Sequence, residues 1–426
     1  MSRILGLDRK TSTVVFGSVT TALVGAALTG LSFAAQAQTP APPAAVAPAA
    51  PAAPAAPPAP STTGMAGPLA ANANPSLIDA GPLGSVYVTG ALTGLVQLQD
   101  NRSLTDRDIQ ADVSSAQVFI NKTSGPIQFF LQGGAYSLPD IGTPYLRSKV
   151  ATNAYYGTLP QAFIKYVPNS TFSIEAGKLP TLIGAEYTWS FENMNVERGL
   201  LWNQENAVNR GIQANYVKGP LSLAASWNDG LYSNIYSWLW LSATQTVNKT
   251  DTLAFIAGGN TKRTVENTLA TPGFLNNEQI YNLIYTHVTG PWTIQPYFQY
   301  TTVPKLPALG TTASASTTGA ALLVNYAFPA TAKMGGMSLS GVNLPVRLEY
   351  ISSTGSVANG APNLLYGQGS NAFSLTVTPT YQYKTFFSRM EVSYVNAGKI
   401  TAGDAFGASG NDKSQSRFLI ESGILF

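Results

Sequence analysis

From Val86 to the end of the chain, apolar and polar side chains trade places with a period of two. Val86, Val88, Gly90, Leu92, Gly94, Val96 and Leu98 alternate with Tyr87, Thr89, Thr93, Gln97 and Gln99. The pattern is cleanest around Phe373 to Lys384. There Phe373, Leu375, Val377, Pro379, Tyr381 and Tyr383 oppose Ser374, Thr376, Thr378, Thr380, Gln382 and Lys384. A helix would scatter both sets around its surface, so the segment is a strand. Pro379 removes one ladder donor and predicts an irregularity. Runs of this kind predict sixteen strands, within a range of fourteen to eighteen, near 86–99, 109–122, 126–137, 160–168, 171–180, 209–218, 220–231, 236–247, 251–262, 279–289, 291–303, 317–327, 343–355, 370–384, 385–397 and 416–426.

The connections alternate short and long. Gly-Pro recurs just before strands, at Gly125-Pro126, Gly219-Pro220 and Gly290-Pro291, where Gly permits the turn and Pro sits where no donor is needed. Long connections fall between the short ones, near 100–108, 138–159, 181–208, 263–278, 304–316, 356–369 and 398–415. An antiparallel up-and-down transmembrane β-barrel with both termini on the short-turn side predicts this rhythm. One connection, Pro329 to Gly341, is too long for its place: either a strand boundary is wrong there or the turn is decorated.

The last ten residues set out the two faces. Phe426, Ile424, Ser422, Ile420 and Phe418 form a mostly apolar set, while Leu425, Gly423, Glu421, Leu419 and Arg417 carry charge. A strand with lipid outside and a wet lumen inside has this character. Phe418, Ile420, Ile424 and Phe426 also resemble the terminal-aromatic signal by which bacterial outer-membrane proteins meet their assembly machinery.

Parity sorts the remaining charges. Arg347 and Glu349 oppose Leu344, Val346, Leu348 and Tyr350, and Arg389 and Glu391 oppose Met390, Val392 and Tyr394. Lys165, Glu175, Arg417 and Glu421 complete the set. An Arg facing lipid at the midplane costs about 2–4 kcal/mol, which assigns these residues to a pore-lining wall. They form either a self-neutralising ladder or a field across a pore. Trp227, Trp238, Trp240, Trp292, Tyr216 and Tyr300 lie near strand ends, where interfacial girdles place aromatics.

Composition narrows the class. Charged residues make up 11% of the chain, against about 25% in ordinary globular proteins. There is no cysteine, so neither a disulfide nor a thiolate metal site is available. No stretch beyond the N-terminus has the ~20 apolar residues of a spanning helix. Arg3, Arg9 and Lys10, the apolar run Thr13 to Phe33, and Ala35-Gln36-Ala37 have the layout of a secretory signal over residues 1–37. Residues 38–64 are nearly all Ala and Pro and predict an extended, disordered periplasmic linker. A short segment, 65–85, precedes the barrel at 86–426. Removal of the leader leaves a nearly neutral chain, so no nucleic-acid partner is expected.

The loop from Thr181 is unusually long and combines Asn, Glu and aromatic residues. Loops of this length are usually functional or disordered. It either folds into the barrel and narrows it, with Glu192, Glu197, Arg198 and Glu205 at the constriction, or caps the surface.

The segment EAGKLPTLIGAEYTWSFENMNVERGLLWNQENAVNRGIQANY, from Glu175, is similar to the signature region of the putative beta-barrel porin-2, OmpL-like family. The matching positions are Gly177, Lys178, Pro180, Gly184, Glu186, Arg198 and Gly211. Family members often carry Ser after the loop arginine, where this chain has Gly199. The resemblance implies an outer-membrane barrel of porin type but supplies no transported substrate.

The leading expectation is a passive diffusion channel for small hydrophilic solutes or ions in the bacterial outer membrane. Its partners are membrane lipid and the assembly machinery; a homotrimer is common among sixteen-stranded porins, and the residues leave open whether three barrels associate. The alternative is a structural or adhesive barrel whose loops seal the lumen. Enzymatic activity is not expected: the one histidine, His287, has no Gly-x-Ser-x-Gly element beside it. No cofactor or metal is expected either, given one His and no Cys.

Overall fold

The computed structural model describes Met65 and residues 67–426. The leader expected at 1–37 and the Ala/Pro-rich stretch 38–64 lie outside the described residues. Sixteen strands build the barrel: β1 (Ser85–Gln99), β2 (Ile109–Lys122), β3 (Ile127–Tyr136), β4 (Gln161–Tyr166), β5 (Phe172–Pro180), β6 (Val208–Lys218), β7 (Leu221–Asn228), β8 (Trp238–Thr246), β9 (Asp251–Asn260), β10 (Gln279–Thr289), β11 (Trp292–Val303), β12 (Ala315–Ala327), β13 (Val342–Ser353), β14 (Asn371–Val377 with Thr380–Tyr383), β15 (Phe386–Gly398) and β16 (Ser414–Leu425). Each pairs antiparallel with the next, and β16 returns to β1, with Leu425 opposite Ala91 and Arg417 opposite Gln99. The sheet therefore has no open edge, the condition under which strands can stand in hydrocarbon.

The seam is finished by the terminal residue. The Phe426 amide donates to the Gly90 carbonyl (2.9 Å) and the Gly90 amide to the Phe426 carbonyl (2.8 Å). A Cβ at Gly90 would stand 2.2 Å from the Phe426 ring, so glycine is what lets the aromatic lie across β1. Phe426, Ile424 and Ile420 are exposed and Phe418 half-exposed, while Leu425, Glu421, Leu419 and Arg417 are buried. The terminal strand thus presents its apolar set outward. Elsewhere the outward face carries exposed Leu241, Ile164, Ile212 and Phe255. A belt of this kind needs lipid, not water, around it.

Pro379 interrupts β14 as its missing donor requires, and both halves still pair with β13 and β15. The long connection Pro329 to Gly341 is a decorated turn: a small hairpin, Lys333–Met334 with Met337–Ser338, closes through Gly335 and Gly336 at positive φ. In β2 one extra residue opposes β1 between Thr93 and Leu95. This bulge buries Ser114 and Ser115 together and brings the Ser114 hydroxyl to 3.1 Å from Glu421.

Two tryptophans depart from the girdle expected for them. Trp238 and Trp240 point inward, fully buried and stacked at 5.4 Å, while Leu239 and Leu241 take the outward face. The strict alternation of β8 sends both indoles the same way. Gly230 and Gly258 make room, since a Cβ at either would stand 2.2 or 2.1 Å from an indole. Trp227 and Trp292, with Tyr216 and Tyr300, are exposed.

Substituting Gly90→Val should drive the Phe426 ring off β1. Overpacking of this sort costs about 1–3 kcal/mol, so the detergent-solubilised variant should unfold at lower temperature than the native chain by circular dichroism. An unchanged midpoint would show that the seam does not depend on the ring.

Candidate functional site

The β5–β6 connection, residues 181–207, does not cap the surface. Every residue from Thr188 to Trp202 is buried. Two features of the loop make this workable in a barrel. Its apolar side chains find apolar inward positions: Ile183, Met194, Leu200 and Leu201 join a cluster with Trp238, Trp240, Ile256, Ile280, Leu323 and Ile351. Trp189, Phe191 and Trp202 join a second cluster that includes Phe119, Phe130 and Tyr136. Many of its polar groups are then met by the opposite wall.

That wall is β13 to β16, where the sequence-predicted charges gather. Arg347 contacts Glu349 on its own strand at 3.1 Å and the loop residue Glu186 at 2.5 Å. It also donates to the Glu197 carbonyl. Arg389 pairs with Glu421 across strands at 2.5 Å and donates to the Asn193 carbonyl of the loop. Arg417 pairs with loop Glu197 at 2.6 Å. Glu391 accepts the Val196 and Glu197 amides (2.6 and 2.9 Å), and the Thr378 hydroxyl donates to it. Glu421 also receives the Ser190 hydroxyl at 2.6 Å. The predicted ladder and the predicted loop are therefore one network, not two features.

The remaining predicted residues divide. Arg198 is fully buried and pairs with Asp140 at 2.7 Å. Its guanidinium lies 4.5 Å from the Trp202 ring. Glu192 is turned back on its own helical turn and accepts the Trp189 amide, so it braces the loop from within. Glu205 accepts the Tyr297 hydroxyl at 2.6 Å. Lys165 and Glu175 stand apart from the network and face each other across β4 and β5 at 3.5 Å. His287 lies on β10 beside Asp251, 2.7 Å away across the strand pair, with no part in the lumen network.

Reading the sequence alone overlooks Asp140, Ser190, Asn195, Tyr297 and Thr378. Asp140, Tyr297 and Thr378 are ordinary polar residues of distant segments that only folding brings to the loop, and Ser190 and Asn195 belong to the loop but meet Glu421 and Thr378 on the far wall. Among them, Thr378 carried a local signal: it precedes Pro379 and sits on the polar parity of β14.

Gly199 sits at a tight point of the network. Its amide donates to Glu186 at 2.8 Å, and a Cβ would stand 2.1 Å from a Glu349 oxygen. The backbone must approach two carboxylates closely there, which only glycine allows. Gly184 plays the same part under Glu205, where a Cβ would meet a carboxylate oxygen at 1.8 Å. Gly177 and Gly211 face each other across β5 and β6 at the loop's roots.

The family model described as Putative beta-barrel porin-2, OmpL-like matches residues 85–426, the whole of the barrel. The chain belongs to this family. Solved structures agree with the fold. An anion-selective porin from Comamonas acidovorans is similar with a TM-score of 0.53 at 8% identity, covering 80% of this chain and 99% of that one. The outer membrane channel DcaP of Acinetobacter baumannii gives 0.52 at 10% identity, covering 80% and 97%. OmpT of Vibrio cholerae, described in a trimer form, gives 0.50 at 12% identity, covering 80% and 99%. At such identities the likeness is one of fold. Among curated proteins, none matches this chain.

For this porin-family barrel the buried loop predicts two measurable effects. Removing one partner of a buried ion pair leaves the other uncompensated and costs about 3–5 kcal/mol. Arg347→Met should therefore lower the thermal midpoint clearly, and Glu186→Gln less, because Arg347 keeps Glu349. Equal and negligible shifts would deny the network a structural role.

The second effect depends on pH. Burial raises the carboxyls of Glu205 and Glu278 well above the ordinary range, and Glu278 feels Glu205 as a like charge. One oxygen of each is buried without a hydrogen-bond partner. The folded state holds these protons longer than the unfolded state, so stability falls as pH rises above the ordinary carboxyl value. Glu278→Gln should raise the melting temperature at pH 8 and change it little at pH 4. A gain of equal size at both pH values would contradict the assignment.

Proposed function

We propose that the chain is an outer-membrane porin through which small hydrophilic solutes and ions diffuse passively, with the 181–207 loop as its constriction. The observation that carries this is the division of the lumen. On the long-loop side lie two chambers of about 470 and 390 Å³, which share Thr143, Pro144, Asn203, Pro272 and Leu275. On the short-turn side the inward positions of β6 to β11 remain half-exposed and polar, among them Asn215, Ser222, Thr244, Thr252, Thr286 and Gln295. The buried loop stands between these two spaces, and lumen size and polar lining are what a diffusion pore of sixteen strands provides.

In this reading Lys165, Glu175, Arg347, Glu349, Arg389, Glu391, Arg417 and Glu421 supply the lumen's charge. Glu197 and Arg198 are held at the constriction with Glu192 and Glu205 supporting it. The short turns face the periplasm, residues 1–37 direct export, and the outward Phe418, Ile420, Ile424 and Phe426 address the assembly machinery. The trimer form named for OmpT supports a homotrimer as the working assembly.

A second reading, a structural or adhesive barrel sealed by its loop, draws on the unbroken burial from Thr188 to Trp202. Liposome swelling with small sugars distinguishes the two. The mature chain should admit a monosaccharide, and deletion of residues 187–203 should raise single-channel conductance severalfold and admit larger sugars. Swelling absent in the native chain and restored by the deletion supports the sealed barrel. Conductance indifferent to the deletion sinks the constriction.

A further inference from the structure

Beyond the loop, a second segment enters the lumen from the opposite end. Before β1 the chain forms a short strand, Ser76–Asp79, paired with Ser85–Val88. Tyr87 and Val88 also pair with β2, so this strand sits on the edge that β16 occupies from Ala91 onward. It thereby places the residues ahead of it at the rim of the short-turn mouth.

Those residues turn into the mouth. Leu69 is only 3% exposed. It belongs to the cluster of lumen-facing apolar side chains that includes Ala91, Phe119, Phe130, Phe163, Phe387 and Leu425, and Met65 packs against the same cluster. The three phenylalanines of β2, β3 and β4 form a continuous stack, with centroids 6.2 and 5.5 Å apart. Phe191 of the loop packs on Phe119 at 6.1 Å from the long-loop side, and Leu69 adds apolar cover to the same cluster from the short-turn side.

The cover is also fastened. The Ala70 amide donates to the Gln382 side-chain oxygen at 2.7 Å, and the Gln382 side-chain nitrogen donates to the Ala70 carbonyl at 2.8 Å. Gln382 lies on the inward parity of β14, so one side chain pairs with both backbone groups of one residue, much as a neighbouring strand would. Both hydrogen bonds are exposed to solvent, where the net gain of each is small, so the fastening is reversible.

We propose that residues 67–70 are a displaceable plug that narrows the inner mouth of the pore, seated by Leu69 in the aromatic cluster and latched by Gln382. Leu69 shares a buried cluster with inward residues of β1 to β4, β15 and β16. The half-exposed polar positions at the short-turn ends of β6 to β11 lie outside this cluster, so the seated plug narrows the mouth without covering them. The inference rests on the porin reading. It adds a control point at the end away from the loop.

Native cysteines are absent, which allows a clean test on the mature chain in planar bilayers. Leu69→Asp unseats the plug. Ala70→Cys combined with Gln382→Cys, bridged by a short bismaleimide, holds it in place. Folding of each form is checked by circular dichroism. Single-channel conductance of Leu69→Asp should exceed that of the bridged form about twofold or more, with the unbridged double variant between them. Equal conductance in the folded unseated and bridged forms overturns the plug and leaves the porin reading intact. Absence of conductance in every form overturns both.

Discussion

Hydrocarbon offers no partner for an unpaired backbone amide or carbonyl, and this one constraint shapes the whole molecule. A sheet that must stand in lipid has to close on itself. Here closure depends on the antiparallel return of β16 to β1, sealed by the reciprocal hydrogen bonds between Gly90 and Phe426. Once the wall is closed, alternation along every strand sends one side chain to lipid and the next to the lumen. Arg347, Arg389 and Arg417 are inward because that parity is the only one under which their charge has partners.

Closing sixteen strands creates a second constraint. The enclosed space is too wide for wall side chains to fill, so what occupies it must come from the connections. The 181–207 loop meets the wall with two chemistries at once. Apolar residues such as Met194, Leu200 and Leu201 settle on inward Ile and Trp side chains, and its amides and carboxylates meet Arg347, Glu391 and Arg417. Buried ion pairs of this kind contribute little net stability compared with apolar packing, but a misplaced loop would strand several charges at once. The network thus selects one loop position more than it strengthens the barrel.

The interior is consequently asymmetric. The wall of β13 to β16 is occupied by the charge network, the wall of β1 to β4 by stacked aromatics, and the wall of β6 to β11 keeps half-exposed polar residues toward the short turns. Glycines at 184 and 199 mark where loop backbone comes closest to carboxylate. A serine in place of Gly199 would need Glu349 or Glu186 to move, so the position ties loop geometry to the charges of β13.

Much of this was legible in the residues themselves. Period-two alternation is a local property, set by the geometry of a single strand. It identified the strands, their faces, the inward charges, the irregularity at Pro379 and the alternation of short and long connections. Parity alone does not say which of two similar faces goes inward when both are apolar. Trp238 and Trp240 turned away from the interface because Leu239 and Leu241 fit lipid equally well and only Gly230 and Gly258, from other segments, leave space for indoles. Nor does parity reveal contacts between distant segments. That Glu197 would meet Arg417, that Glu205 would meet Tyr297, or that Leu69 would reach the phenylalanines of β2 to β4 depends on closure, which brings together residues separated by tens to hundreds of positions. The sequence by itself determined a wall with a greasy side and a wet side; the tertiary structure alone decided what stands inside it, because a lumen exists only after the last strand has found the first.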